Sequence, residues 1–474
     1  MDWYERAPGL LTKKLAAETP MTDTIWASKE LAGWGRLPVV RSLCTRLERR
    51  SDAFEALADR DEQSLAAHGL GRSYGDAALL DEGRVILTRR LDRMLEFDES
   101  TGWLHCEAGV SIGDLIDVFL PRGWFPPVVP GTQFVTIGGA IGCNIHGKNH
   151  GHAGCFGDHI RQIELLCADG QIVTCGPEEN PDLFWATVGG MGLTGLILSA
   201  QIQLYPVESG AIEMETIRFD SLDEFFAISA DSTDYYHTVS WIDCLRSGST
   251  MGRGVFMRGR HAPSGADDEL SPGLVGRLSN LAQSLVDGRA LQSNHLLNKA
   301  TIRLFNEAYF HSHPAGVHRS TVACEPFFFP LDAVANWNHI YGDRGFLQYQ
   351  VVVPEKQAMA HILELIAHSG MASFLAVIKE FGDADHGGLS FPCAGTTLAL
   401  DFPNYGPQLF DLLDRLDEIV VDVGGRVYLG KDARLSAENF RRMYPQWQRW
   451  KSVRDQWDPD GVFQSDLSRR LQLT

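Results

Sequence analysis

The sequence predicts an α+β protein made of two unlike regions, on three observations. From about residue 36 to 205, short β-like runs alternate with glycine-rich turns and brief helical pieces, without a regular βαβ series. From about 208 to 425 the strands lengthen and helices separate them. A length of 474 residues leaves room for two or three domains of roughly 100–200 residues each.

The elements follow in order. The first twenty residues read as a loose extension, and the ordered chain is expected to begin near residue 36. Strands are predicted over residues 83–87, 104–109 and 171–174. A helix opens at Ser111, where Ser111 and Asp114 form a capping-box pattern. Ile112, Leu115, Ile116, Phe119 and Leu120 give it an apolar stripe, and Pro121 stops it. Residues 181–187 form a second helical piece. Residues 258–298 are a polar insertion of the kind that serves as a mobile lid or stays disordered. Turn signals at Gly424-Gly425 and Asp458-Pro459-Asp460-Gly461 bracket a closing segment.

Composition narrows the function. A net charge of −19 argues against wrapping nucleic acid or coating an anionic membrane by bulk attraction, so any bound phosphate needs a local site. Nine cysteines, an odd number with no C-x-x-C pair, read as reduced thiols of a cytosolic chain. No apolar run approaches 18 residues, and the N-terminus lacks the pattern of a secretory signal. Glycine numbers 47 where average usage predicts roughly 33, which points to backbone that bends sharply or approaches a ligand.

Two glycine loops concentrate that excess. The first runs Ala67-His68-Gly69-Leu70-Gly71-Arg72-Ser73-Tyr74-Gly75-Asp76-Ala77; the second runs from Pro130-Gly131-Thr132 through Thr136-Ile137-Gly138-Gly139 to Cys143-Asn144-Ile145-His146-Gly147-Lys148. Small residues let successive N–H groups point into one concavity that holds phosphate, and leave room for a flat ring. Either loop alone is equally a tight turn in a sheet protein; two in one region favour a dinucleotide.

These motifs resemble the flavin-binding domain of the vanillyl-alcohol-oxidase type, and the run Cys143 to His150 is similar to the decaprenylphosphoryl-ribose 2′-oxidase family. Residues 183–190, 345–350, 425–432 and 458–463 extend the similarity from about 36 to 474. The resemblance implies an FAD-binding domain (36–207) split around an inserted α+β substrate domain on an antiparallel sheet (208–425), with residues 426–474 returning to the FAD domain. It implies FAD contacts at both loops, including Gly131 and residues 136–139 and 143–146, and at Ile197 and Tyr428. Arg72 stands where many relatives carry the histidine that tethers flavin, so non-covalent FAD is expected.

Two motifs compete with this reading. Gly190-Met191-Gly192-Leu193-Thr194-Gly195 satisfies G-x-G-x-x-G, but a helical piece precedes it and a strand follows, the reverse of a Rossmann turn. His146, His150, His152 and His159 form a histidine cluster, but Lys148 among them opposes a cation, so no metal site is expected.

Strand alternation points to a cavity. Gln348 and Gln350 share one face of their run, Lys379 shares a face with Leu375 and Val377, and Thr397, Ala399 and Asp401 form a third same-side set. An ammonium on an apolar strand needs a partner or a wet cavity. The resemblance places these residues, with Trp241 and Lys148, around a sugar phosphate. It casts Lys431 beside Tyr428 as the base that takes the alcohol proton or the cation beside the developing alkoxide, with His146 and Tyr74 as alternatives. Lys148 and Lys379 are candidates to support an anionic substrate. Ala399 stands where mycobacterial members carry cysteine, so no thiol chemistry is expected there.

The function these features imply is FAD-dependent oxidation of C2 of a polyprenylphosphoryl ribose at the cytoplasmic membrane surface, completed by a short-chain NAD(P)-dependent keto-reductase. A soluble aldonolactone or alditol oxidase, or a flavoprotein-like binding module, are the alternatives.

Overall fold

The computed structural model describes residues 24–266, 270, 298–373, 375–383 and 386–474. The loose start expected over residues 1–20 and most of the 258–298 insertion lie outside these. A four-stranded sheet comprises β1 (Ala27–Ala32), β2 (Val39–Arg46), β3 (Leu65–His68) and β4 (Arg84–Leu87), in the order β1-β2-β4-β3. Both β2 and β3 run parallel to β4. The ordered chain thus begins earlier than expected. β1 pairs with β2 along its length, and Trp34 N–H donates to the Ser73 carbonyl at 2.7 Å.

An antiparallel sheet follows, formed by β5 (Met94–Asp98), β6 (Trp103–Glu107), β8 (Ile160–Leu166), β9 (Ile172–Cys175) and β10 (Leu196–Gln203), with β10 between β6 and β8. β7 (Trp124–Phe125) and β11 (Tyr205–Pro206) make a short pair beside it. The helix Ile112–Phe119 begins at Ser111, whose side chain accepts from Asp114 N–H while the Asp114 carboxylate accepts from Ser111 N–H. Its predicted stripe is the buried face.

The largest sheet is antiparallel and eight-stranded: β12 (Ala211–Phe219), β13 (His237–Ile242), β14 (Gly254–His261), β15 (Val317–Ala323), β16 (Phe346–Val353), β17 (Ala376–Phe381), β18 (Gly395–Pro403) and β19 (Arg426–Val427), in the order β15-β12-β14-β13-β17-β18-β16-β19. Helices Lys356–Ser369 and Pro407–Asp422 lie on one face. Met359, Ile362, Leu363 and Ile366 of the first, and Leu409, Leu412, Leu413 and Leu416 of the second, recur at helical spacing and are buried. They join Tyr349, Val351, Ile378, Leu398 and Leu400 in one core. That packing commits one face of β16–β18 to the interior and leaves the alternate residues for the other face.

Two expected boundaries shift. Arg258 belongs to β14, pairing opposite Glu215 and holding its carboxylate at 2.7 Å, so the insertion starts later. The closing segment starts as a strand of the large sheet, because Arg426 and Val427 pair with Val352 and Val351. It then reaches the first region: Phe463 bridges to Leu65, and Arg470 grips Asp76 at 2.8 Å.

Candidate active site

A cavity with room for the centres of water molecules over about 310 Å³ lies where the glycine loops meet β16–β18. Ala67, residues 69–74 and Ala77 of the first loop line it, as do Gly131, Thr136, Gly138, Gly139, Cys143, Ile145 and His146 of the second. Ile197, Tyr428 and Lys431 join them.

Other predicted residues stand behind this surface. His68 Nδ1 bonds the Ala78 carbonyl at 2.9 Å, and Ile137 is fully buried. Asn144 donates to Ser390 Oγ at 2.6 Å and accepts from Gly157 N–H at 2.9 Å, locking the turn before His146. At Gly75 a Cβ would stand 1.9 Å from the Asp432 carbonyl oxygen, so only glycine lets the first loop touch the segment carrying Lys431. Asp76 takes Arg470 and pins the same junction.

The sheet supplies the opposite wall. Gln348, Gln350, Leu375, Val377, Lys379, Thr397 and Ala399 line the cavity, as alternation predicts. Register brings Gln348 opposite Asp401, Gln350 opposite Ala399, and Lys379 opposite Thr397. Gln348 donates to Asp401 Oδ1 at 2.5 Å. Gln350 donates to His146 Nε2 at 3.0 Å, which leaves the His146 proton on Nδ1, a buried atom with no partner among the described residues. Burial and the neighbouring Lys379 hold this imidazole well below its ordinary pKa, so it is neutral. Its ring packs against Phe381, Phe391 and Tyr428.

Lys431 Nζ sits 4.0 Å from the centroid of the Tyr74 ring. Burial lowers its pKa, with Asp401 pulling the other way; burial likewise raises the Asp401 carboxyl, against the bond from Gln348. Tyr74 is buried and its phenol pushed well above its usual pKa, first by desolvation and then by Asp401, so it stays protonated. The Tyr428 hydroxyl donates to the Cys143 carbonyl at 3.0 Å, joining the closing segment to the second loop. Lys379 is lowered to about 8 by burial and then by Lys431.

Two expected wall residues lie elsewhere. Trp241 is buried against Val255, Phe310 and Tyr309, because helix Lys299–Ser312 covers its part of the sheet. Lys148 donates to the Phe328 carbonyl at 3.0 Å beside the Phe327 and Phe328 rings, and does not line the cavity. The other histidines of the cluster do not converge: His150 accepts from Gly382 N–H, while His152 and His159 bond the Tyr235 and Ala153 carbonyls.

Some lining residues were missed. Trp34 fell inside the expected loose extension, although its flanks, Gly33 and Gly35, are the signal: a Cβ on either would stand within 2.8 Å of first-loop carbonyl oxygens. Met191, Gly192 and Gly195 belong to the G-x-G-x-x-G segment, which faces the cavity although helix Pro181–Thr187 precedes it and β10 follows. Leu331, Trp337 and Phe134 line it too.

The residues present fit a flavin dinucleotide. A Cβ at Gly131 or Gly192 would meet nothing within 4 Å, so the wall there is backbone alone, open to a bound ring or phosphate. In a chain of charge −19, Arg72, Lys379 and Lys431 line the cavity, and among the described residues no carboxylate does. The fold and site define an FAD-linked oxidoreductase. Sequence comparison agrees: residues 52–176 match an FAD binding domain, and residues 357–471 match D-arabinono-1,4-lactone oxidase. The chain is 40% identical to decaprenylphosphoryl-β-D-ribose oxidase of Mycolicibacterium smegmatis over 95% of its own length and 99% of the relative's. It is 34% identical to an uncharacterized protein of Streptomyces coelicolor over 77% and 100% of the two lengths. Human Δ24-sterol reductase shares 32% identity over 30% of this chain and 26% of its own. The chain therefore belongs to the decaprenylphosphoryl-β-D-ribose oxidase family. No helix among the described residues is long and apolar enough to cross a membrane.

Proposed function

We propose that the protein oxidises the C2 hydroxyl of a polyprenylphosphoryl-β-D-ribose to the 2-keto sugar. The carrying observation is the cavity that meets its glycine loops with Arg72, Lys379 and Lys431 and, among the described residues, no carboxylate, a setting for an anionic substrate beside a flavin. The relative from Mycolicibacterium smegmatis acts on this class of lipid-linked sugar by name.

FAD held without a covalent link by the two glycine loops would supply the acceptor for the C2 hydride. The hydroxyl proton leaves to the Lys431 amine as the C2–O bond becomes a carbonyl; burial readies that amine by lowering its proton affinity. Neutral His146, fixed by Gln350, keeps an uncharged ring at the cavity wall, while Gln348 and Thr397 orient the sugar. Lys379 adds positive charge as the alkoxide develops. Tyr74 keeps its proton and packs its ring against Lys431. A short-chain NAD(P)-dependent keto-reductase would consume the product, and the prenyl tail would bring the enzyme to the inner face of the cytoplasmic membrane.

The match to D-arabinono-1,4-lactone oxidase favours one second reading, a soluble aldonolactone or alditol oxidase. Anaerobic stopped-flow mixing separates them. Farnesylphosphoryl ribose should bleach the bound flavin while free ribose and an aldonolactone leave it yellow. Equal bleaching by the lactone would overturn the assignment.

A further inference from the structure

Arg72 lies in the first glycine loop, on the cavity wall. Its guanidinium carbon is 3.9 Å from the centroid of the Trp34 ring and 5.0 Å from that of Phe134. Trp34 is itself held edge-on by Trp337 at 5.8 Å. Aromatic contact of this kind steadies a guanidinium plane while leaving its N–H edge free. Arg72 Nε is buried with no hydrogen-bond partner among the described residues. Asp332 acts on Arg72 only from farther away, its carboxylate already accepting from Gln133 N–H at 2.8 Å. A half-buried arginine without an anion is costly, and a phosphate oxygen pair matches its fork.

The surroundings say which phosphate. Phe134 is 40% exposed, Trp34 and Leu331 are half-buried, and all three line the cavity, so its outer edge at Arg72 is apolar. The inner end, at Gln350 and Thr397, is buried and polar. A molecule with a sugar at one end, an anion in the middle and a hydrocarbon at the other matches that sequence of surfaces.

We propose that Arg72 receives the phosphodiester of the lipid-linked sugar, with Trp34, Phe134 and Leu331 as the lip over which the first prenyl units pass. This rests on the substrate reading above.

The test compares farnesylphosphoryl ribose with farnesyl β-riboside, which lacks the phosphate, on the FAD-loaded wild type, Arg72→Gln and Arg72→Lys. The ratio of kcat/KM for the phosphodiester over the neutral riboside should fall about 10- to 100-fold in the Gln variant and less in the Lys variant. An unchanged ratio would remove Arg72 from phosphate binding. An unchanged ratio with weakened flavin affinity, read by titration, would assign it to the dinucleotide instead. Should the variants fail to fold, farnesyl phosphate should shield Arg72 of the wild-type holoenzyme from phenylglyoxal, read by peptide mass, where farnesol does not. Equal labelling with both would overturn the proposal. Wild-type enzyme idle on farnesylphosphoryl ribose would sink the substrate reading, whereas wild type active with an unchanged variant ratio would sink Arg72 alone.

Discussion

The two walls of the cavity are built on opposite principles. The loop wall is mostly backbone: Gly69, Gly138 and Gly139 let the chain approach Thr136 and Ala108 so closely that a Cβ would stand 2.5 to 3.2 Å away. The sheet wall is side chain: Gln348, Gln350, Lys379 and Thr397 project from strands whose alternate residues are already locked into the helix-covered core. The difference separates shape from chemistry. A changed residue on the loop wall disturbs what fits, whereas a changed residue on the sheet wall alters reactivity and leaves the core intact.

The largest effect should come from Lys431, on the closing segment that meets the first loop. Lys431→Met should keep its flavin and lose 10²-fold or more in the rate of anaerobic bleaching by substrate. Wild-type rate should rise with pH as the buried amine loses its proton, below the ordinary lysine range; that rising limb should vanish in the variant. A variant that loses flavin instead would erase the distinction between the walls.

Gly131→Val tests the loop side. A Cβ there meets no protein atom within 4 Å, so the apo protein should melt at an unchanged temperature. Flavin affinity, read by titration, should fall about 10-fold because the side chain enters space the ligand uses.

The smallest effect on activity is expected at Lys148, outside both walls, where stability is affected instead. Its pKa is lowered to about 7, first by burial and then by Lys379. Between that value and the ordinary lysine range near 10.4, the unfolded chain binds a proton that the folded chain does not. Stability should therefore rise with pH across that window from this group, and fall as pH drops toward 7. Lys148→Met should lack that slope in urea unfolding at three pH values across the window.

The two walls also differed in how readily they could be read. The glycine loops are contiguous, so their spacing announced a cradle directly. Gln348, Gln350, Lys379 and Thr397 come from three strands, yet period-two alternation placed them on shared faces. Trp241 and Lys148 show where alternation stops: it says which side a residue faces, not what covers that side, and helix Lys299–Ser312 and the Phe328 carbonyl are distant in sequence. Trp34 was missed because a short edge strand before a glycine pair carries little periodicity. The G-x-G-x-x-G loop was correctly denied a Rossmann role, but its glycines still serve close approach, since Gly192 has a φ of +75° at the cavity wall.

The meeting of Gly75 with Asp432, and of Leu65 with Phe463, has a consequence for biosynthesis. A nascent chain carries both glycine loops long before the ribosome has made the residues that brace them. Cofactor capture should therefore wait for residues 426–474 to emerge, and a message cut short before them should yield colourless protein.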